Sequence, residues 1–360
     1  MIEVFFATNR NLLGPDQDPE FGDRFHPDGP QFVRFGSALV EKIDGDRYDD
    51  NYVARSVTIA EEIKASPDGN GQADVLGSHQ VFAALRDRMR DGGTDTIILI
   101  HGFASGFRCS LERAAELKDK YAVNGVEPNV FVFSWPSDAK VEYSAYFSDR
   151  DDAKASSMAM ARSFLKLRRW LIEEGRKNFC QQNIHLVAHS MGVYATRNAI
   201  QAIRAELGNN VPRLFDHVFL MAGDEDNDAF EHDHKFRLLP DMAKHVHVYF
   251  SSGDGALTSS DLTKSNIDRL GSSGPRINDN ISRKIILVDC RYVDLTLVPH
   301  GRHQYYRLRP ELIEDVRQVL AGTPANLIAN RDFVHDDRSF RIKGPPGMAP
   351  VSPDALSGGK

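Results

Sequence analysis

The sequence predicts an α/β fold in which a mostly parallel sheet is covered by helices on both faces. Short apolar runs alternate along the chain with longer segments of helical periodicity. This alternation is typical of parallel sheets built from right-handed crossovers, whose strands are buried on both faces. Ligands of such sheets bind at the carboxyl ends of the strands, so residues that follow the apolar runs are the first candidates for function.

The elements are predicted in chain order from the period of the apolar residues. Strands are predicted at 4–8, 31–39, 56–63, 94–99, 130–135, 183–187, 217–221, 245–250 and 284–288. Helices are predicted at 80–90, 110–121, 153–174, 193–207 and 310–320, the last with Pro310 in its first turn. Residues 14–30 are rich in Pro, Gly and Asp, which predicts a loop.

These elements divide the chain into three predicted parts. Residues 1–75 form an N-terminal β extension packed on the core, and residues 76–330 form the main α/β domain. Residues 331–360 form a C-terminal extension that is predicted to be largely disordered. Its end, from Gly344 onward, contains Pro, Gly and Ser and too few bulky apolar residues to offset the entropy of ordering.

Composition excludes several classes of function. Hydrophobic residues make up 41% and charged residues 26% of the 360 residues, with a net charge of -7, so no basic surface for nucleic acid is expected. The first residues lack a basic segment followed by an apolar one, and no apolar run could span a bilayer, which predicts a cytoplasmic protein. Cys109, Cys180 and Cys290 are odd in number and far apart, which argues for reduced thiols rather than disulfides or a zinc site.

The segment from Ile184 to Tyr194 is the most informative part of the chain. It predicts a buried strand that turns directly into an amphipathic helix at Ser190. A serine at this junction, flanked by small residues, has the strained and exposed geometry of a nucleophile elbow. Ala188 stands where the Gly-x-Ser-x-Gly pattern has its first glycine. The alternative is a serine that caps an ordinary helix, but motif and context together favour Ser190 as a nucleophile.

A nucleophilic serine requires a base within hydrogen-bond reach and an acid that orients the base. Asp254 and His303 follow the strands predicted at 245–250 and 284–288, at the sheet edge where the elbow lies. His300 is a rival base in the same loop, and His303 is favoured because it is nearer the closing helix. Asp224 and Asp226 follow the strand at 217–221 and are rival acids.

The oxyanion of an acyl-transfer reaction needs donors, and backbone amides at two strand ends are predicted to supply them. The sequence Ile100-His101-Gly102-Phe103 closes a strand, so the amides of Phe103 and Met191 are the predicted oxyanion hole, with His101 as a structural residue. Aromatic residues follow the next strand, where they either line an acyl pocket or cover the sheet. They include Trp135, Tyr143 and Tyr146.

Two metal-site hypotheses are weak. Residues 224–228 place acids at alternating positions, as in a calcium loop, but Ala229 and Lys235 replace its glycine and its final glutamate, so a solvated acidic loop is expected. No third ligand is spaced to match the histidine pairs, for which surface or structural roles are expected. These pairs are His232 with His234 and His245 with His247. No cofactor is expected.

Several motifs together resemble the bacterial DUF900-type α/β-hydrolases, an esterase/lipase-like group. The motifs are Thr8-Asn9-Arg10, His101-Gly102-Phe103, Phe133-Ser134-Trp135-Pro136-Ser137, Ala188-His189-Ser190-Met191-Gly192, Ser252-Gly253-Asp254-Gly255-Ala256-Leu257 and His303-Gln304-Tyr305-Tyr306. The resemblance covers most of residues 1–325 and implies an α/β-hydrolase fold. It implies the triad Ser190, Asp254 and His303, and its His-x-Tyr-Tyr pattern favours His303 over His300.

The resulting expectation is a serine hydrolase that cleaves a small-molecule carboxylic ester through an acyl-enzyme on Ser190. A thioesterase, an amidase or an acyltransferase would use the same triad. A binding protein that has lost turnover is the alternative from another class, because a fold does not dictate function.

Overall fold

The computed structural model describes residues 1–14, 19–44, 51–61, 76–175, 182–257, 268–279, 281–293 and 302–344. The chain forms two compact units. Unit 1 contains Met1–Lys118 and Pro128–Ile184, and unit 2 contains Asp119–Glu127 and His185–Lys360. These boundaries differ from the sequence-based divisions at residues 75 and 330.

Unit 1 contains a mixed sheet in the order β6-β7-β1-β4-β5. Strand β7 is parallel to both β6 and β1, whereas β4 is antiparallel to β1 and β5. The strands are β1 (Ile2–Thr8), β2 (Arg10–Leu12), β3 (Phe21–Phe25), β4 (Arg34–Lys42), β5 (Tyr52–Ile59), β6 (Thr96–Ile100) and β7 (Asn129–Ser134). The helices are α1 (Gly77–Gly92), α2 (Phe107–Lys120), α3 (Tyr143–Ala155) and α4 (Ser157–Gly175).

Unit 2 contains a second run of strands in the order β8-β9-β10-β11-β13-β12, parallel except for the β12/β13 pair. The strands are β8 (Ile184–His189), β9 (Phe215–Met221), β10 (Ala243–Phe250), β11 (Ile285–Asp289), β12 (Arg331–Val334) and β13 (Ser339–Ile342). The helices are α5 (Met191–Leu207), α6 (Leu239–Met242), α7 (Leu270–Ser273), α8 (Tyr305–Leu308) and α9 (Pro310–Leu320), followed by a 3₁₀ turn at Ala325–Leu327. The predicted α/β class with a mostly parallel sheet is confirmed.

The central strands are apolar on both faces, as buried parallel strands require. Every residue of β6, and all of β8 except Ile184, is buried. Their β-branched and leucine side chains stabilise the strand conformation and exclude water from the ladder hydrogen bonds. The ends of these strands are therefore rigid points from which the following loops start.

Two predictions about unit 1 are wrong in detail. The single helix predicted at 153–174 is two helices, α3 and α4, separated by buried Ser156, whose hydroxyl accepts a hydrogen bond from Asn9 Nδ2 at 3.0 Å. The sequence of α3 is largely polar, so its apolar period gives little signal. The loop predicted at 14–30 contains β3, because Phe21 packs against the Phe107 ring at 4.6 Å and against the Phe6 ring at 6.0 Å.

Part of the C-terminal extension is ordered, contrary to the prediction for residues 331–344. Strand β13 pairs with β11, and Arg331 of β12 donates to Asp315 of α9 from Nε at 2.6 Å and from a terminal nitrogen at 2.7 Å. The Tyr249 hydroxyl of β10 donates to the same carboxylate at 2.6 Å. All three side chains are at least nine-tenths buried, and contacts this distant in sequence leave no mark on local composition. Residues 345–360 lie outside the described residues.

The cysteines and the helices give two further findings. Cys109 and Cys290 have free thiols, and Cys180 lies outside the described residues. No helix among the described residues combines the length and the apolar composition that crossing a membrane requires.

We expect Arg331→Met to lower the free energy of unfolding by about 3–5 kcal/mol, because the buried Asp315 carboxylate loses its guanidinium partner. Lys343→Met is the matched control. It removes an exposed ion pair with Asp332 from the same hairpin and should change stability by less than about 1 kcal/mol. Urea unfolding followed by circular dichroism measures both values, and equal effects would show that β12 contributes little to the core.

Candidate active site

Ser190 occupies a strained turn between β8 and α5. Its φ and ψ angles are 55° and -125°, a region that non-glycine residues rarely adopt. Its amide donates to Met221 O at the end of β9 at 3.0 Å, and its carbonyl accepts from the amides of Val193 at 2.9 Å and Asp224 at 3.1 Å. Although Ser190 immediately precedes α5, its hydroxyl makes no capping hydrogen bond. The geometry therefore favours a nucleophile elbow over an ordinary helix cap.

Asp254 and His303 form a buried hydrogen-bonded pair in the same unit. The His303 Nδ1 to Asp254 Oδ2 distance is 2.7 Å, and the side chains are almost fully buried. The other carboxylate oxygen accepts from the amides of Ala256 and Leu257, each at 3.2 Å. Since an ionised carboxylate only accepts hydrogen bonds, Nδ1 carries the proton and Nε2 is the nitrogen that can accept one.

Opposing effects set the basicity of His303. Burial lowers its pKa, but the charge of Asp254, the hydrogen bond to Asp254 and the charge of Asp224 together raise the pKa above its ordinary value of 6.5. Protonation of this imidazole is therefore stabilised by two carboxylates. A base of this kind has the strength that proton transfer near neutral pH requires.

The rival residues occupy different places. His300 lies outside the described residues. Asp224 is buried close to the elbow, with its Oδ1 at 3.5 Å from Arg269 Nε, whereas the hydrogen bond to His303 Nδ1 comes from Asp254. The structure therefore supports Asp254 as the orienting acid.

The acidic loop at 224–228 is not solvated, and that expectation was wrong. Asp224 and Glu225 are buried, and Asp226 is paired with both Arg269 and Lys235. Arg197 Nε donates to Glu225 at 3.1 Å. Arg197 and Arg269 are distant in sequence, so the composition of the loop alone suggested solvent. Within the described residues, no group of acids, histidines or cysteines has the geometry to hold a metal ion.

The two predicted oxyanion donors belong to different units. Met191 is the first residue of α5 in unit 2, where helix N-terminal amides carry partial positive charge. Phe103 follows β6 in unit 1. The next two amides are fixed, that of Ala104 by Asp149 Oδ2 at 3.1 Å and that of Ser105 by Ser137 Oγ at 2.9 Å. The pairing of Phe103 with Met191 stays a prediction.

Buried Arg10 also holds the loop after β6, within unit 1. Its guanidinium donates to the carbonyls of Ser105 at 2.7 Å, Gly22 at 2.9 Å and Ser137 at 3.3 Å, and to Ser134 Oγ at 3.1 Å. Burial lowers the pKa of Arg10 to about 10, so it remains charged at neutral pH. The Thr8-Asn9-Arg10 motif therefore has a structural task that sequence reasoning did not assign.

The aromatic residues after β7 differ in accessibility. Trp135 is fully buried, with its ring stacked on His101 at 4.9 Å and its indole N–H donating to His101 O at 3.0 Å, so it has the position of a core residue. Burial lowers the pKa of His101 to about 3, which leaves the ring neutral, in keeping with a structural role. Tyr143 is 66% exposed, and the Tyr146 ring lies 5.7 Å from that of Phe103. Tyr143 and Tyr146 stay predicted substrate contacts.

Two groups of histidines form stacks of rings. The His217 ring lies between those of His185 and His245, at 5.4 and 5.6 Å, and His217 Nδ1 is 3.0 Å from His247 Nε2. Burial lowers the pKa of His217 to about 3 and lowers those of His245 and His247. These rings pack side by side in unit 2. At the surface, the rings of His232 and His234 are stacked at 5.2 Å.

One contact of the site was not predicted. His189 Nε2 is 3.1 Å from the carbonyl oxygen of His303, so the residue before Ser190 contacts the His303 backbone. The motifs at 188–192 and 303–306 were each visible in the sequence. Their contact was not, because local patterns do not encode pairing across more than a hundred residues.

Comparison with known proteins identifies the family. A search of curated proteins found no match. Residues 79–330, more than two thirds of the chain, match the family described as an alpha/beta hydrolase of unknown function (DUF900). This range includes the elbow serine, the buried aspartate and the histidine bonded to it. The chain belongs to the DUF900 family of α/β hydrolases.

Proposed function

We propose that this protein is a serine hydrolase that cleaves carboxylic esters through an acyl-enzyme on Ser190. The observation that carries the proposal is the buried His303–Asp254 pair in the same unit as a serine held at φ 55°. Backbone strain of about 1–3 kcal/mol persists only where the surrounding structure enforces it, and it concentrates at functional sites. A hydroxyl in this geometry that does not cap the helix is suited to a chemical task.

The proposed reaction follows from the roles of these groups. His303 Nε2 accepts the Ser190 proton as Oγ attacks the ester carbonyl carbon, and the Met191 amide, with that of Phe103 as the predicted second donor, stabilises the oxyanion. The tetrahedral intermediate collapses, the C–O bond to the alcohol breaks, and His303 protonates the departing oxygen. Water, deprotonated by His303, then attacks the acyl carbon, the bond from that carbon to Ser190 Oγ breaks, and His303 returns the proton to Oγ as the carboxylic acid leaves. Asp254 remains ionised and keeps the imidazole in the required tautomer.

The same groups would cleave a thioester or an amide, or pass the acyl group to an acceptor other than water. A binding protein without turnover is the outcome in which Ser190 does not react at all. Reaction with a fluorophosphonate separates this outcome from all the enzymatic ones, because the probe reports an activated serine irrespective of substrate.

Ser190→Ala should abolish hydrolysis of p-nitrophenyl butyrate, with a loss of about 10⁶-fold in kcat if the triad acts as a unit. It should also abolish labelling by the fluorophosphonate. Circular dichroism checks the fold, and Ser148→Ala, at an exposed position on α3, is the control. Wild-type turnover by folded Ser190→Ala protein would end the proposal.

The acid can be identified by a matched pair of isosteric variants. Asp254→Asn should lower kcat by about 10⁴-fold, because the amide cannot hold the imidazole in the required tautomer. Asp224→Asn should lower kcat far less, since its carboxylate makes no hydrogen bond to His303. The opposite ranking, measured on proteins with native circular dichroism, would assign the acid to the end of β9.

The pH profile of kcat/KM tests the base. His303 must be neutral to accept a proton, and its pKa is raised, so activity should fall on acidification with a midpoint above 6.5. Asp224→Asn removes a negative charge that favours the protonated form and should move this midpoint to lower pH. His303→Ala should remove activity, whereas His300→Ala should leave the profile unchanged. The reverse result for the two histidines would reassign the base.

A further inference from the structure

In the part of the chain that the structure describes, the base of the proposed triad does not directly follow a strand. Ser190 immediately follows β8 and Asp254 follows β10 by four residues, but His303 lies fourteen positions beyond Asp289, the last residue of β11. Its hydrogen bond to Asp254 restrains the ring at Nδ1 alone. A contact with the His303 backbone would restrain the base further.

His189 supplies such a restraint. Its Nε2 lies 3.1 Å from the His303 carbonyl oxygen, and both residues are more than nine-tenths buried. A carbonyl oxygen only accepts hydrogen bonds, so the His189 Nε2 carries the proton and donates. His189 is the last residue of β8 and is covalently bonded to the nucleophile, so this bond ties the backbone of the base to the strand that carries the serine.

The ring of His189 is itself held by packing. It is stacked on the Tyr306 ring, with centroids 4.4 Å apart and planes at 26°, and lies 4.6 Å from the His303 ring. The Tyr306 carbonyl accepts a hydrogen bond from the Tyr121 hydroxyl at 2.9 Å. His189 is thus oriented by contacts separate from the hydrogen bond it donates.

We infer that His189 is a positioning residue, whose Nε2–H sets the distance between His303 and Ser190; this inference rests on the proposed function. In this role His189 acts through the His303 backbone and transfers no proton. A displacement of about 1 Å at a catalytic group can lower turnover by about 100-fold, so one hydrogen bond at this place is sufficient to matter.

Two substitutions separate the hydrogen bond from the packing. His189→Phe keeps an aromatic ring on Tyr306 and removes the donor, whereas His189→Gln keeps an amide donor near the position of Nε2 and removes the ring. We expect kcat for p-nitrophenyl butyrate to fall by about 10- to 100-fold in His189→Phe with KM little changed. We expect His189→Gln to restore most of it. His189→Asn, whose shorter side chain cannot reach, should resemble His189→Phe.

His247→Phe is the control for removing a buried, hydrogen-bonded imidazole from the same unit, since His247 contacts His217 rather than the triad. It should lower thermal stability and leave kcat unchanged. The low-field proton resonance of His303 Nδ1 gives a second readout, which should persist in His189→Gln and shift or broaden in His189→Phe.

Each outcome supports or overturns the inference. Normal kcat in His189→Phe together with impaired kcat in His189→Gln would assign His189 to packing alone and overturn it. If His189→Phe does not fold, His189→Gln is compared with His189→Asn. Equal activity of these two variants would overturn the inference. Suppose that Ser190→Ala is inactive but His189→Phe and His189→Asn both have normal activity. This result would reject only the positioning role. An active Ser190→Ala protein would instead reject the proposed function itself.

Discussion

The strained backbone of Ser190 is the constraint on which the rest of the site depends. A φ angle of 55° at a residue with a side chain is unfavourable, and hydrogen bonds from neighbouring segments offset it. The amide of Ser190 is bonded to β9, and its carbonyl is bonded to the amide of Asp224 in the loop after β9. The loop that follows β9 must therefore pass close to this turn, which is why Asp224 is buried next to Ser190.

Backbone hydrogen bonds also connect the loop after β9 to the segment that leads to Asp254. Gly271 of α7 donates to Gly223 O at 2.9 Å and accepts from the Ser251 amide at 2.9 Å. A Cβ on Gly271 would lie 2.3 Å from the carbonyl carbon of Ala222, so only glycine fits. The loop that carries Asp224 and the segment that leads to Asp254 are thus hydrogen-bonded to the same residue. Arg269, the residue before α7, pairs with Asp224 and Asp226.

The parts of the site that the sequence predicted are those with a local signature. Ser190 lies at an abrupt change from an apolar run to a helical period, and Asp254 follows a buried strand, so both could be predicted from short patterns. The ion pairs of Asp226 with Arg269 and of Asp315 with Arg331 join residues that are distant along the chain. Composition therefore suggested a solvated loop and a disordered extension where the structure has buried charges. Burial of a charge depends on its partner, and the partner is a property of the fold.

The three members of the proposed triad differ in whether backbone groups or side chains hold them. Hydrogen bonds between backbones fix the elbow of Ser190, and the amides of Ala256 and Leu257 fix the carboxylate of Asp254. His303 does not directly follow any strand among the described residues, and the side chains of Asp254 and His189 contact it. Side-chain contacts are individually weak, at about 0.5–1.5 kcal/mol for a neutral hydrogen bond. The precision of the proposed nucleophile and acid thus follows from backbone hydrogen bonds next to the sheet, whereas the hydrogen bonds described for His303 come from the side chains of Asp254 and His189.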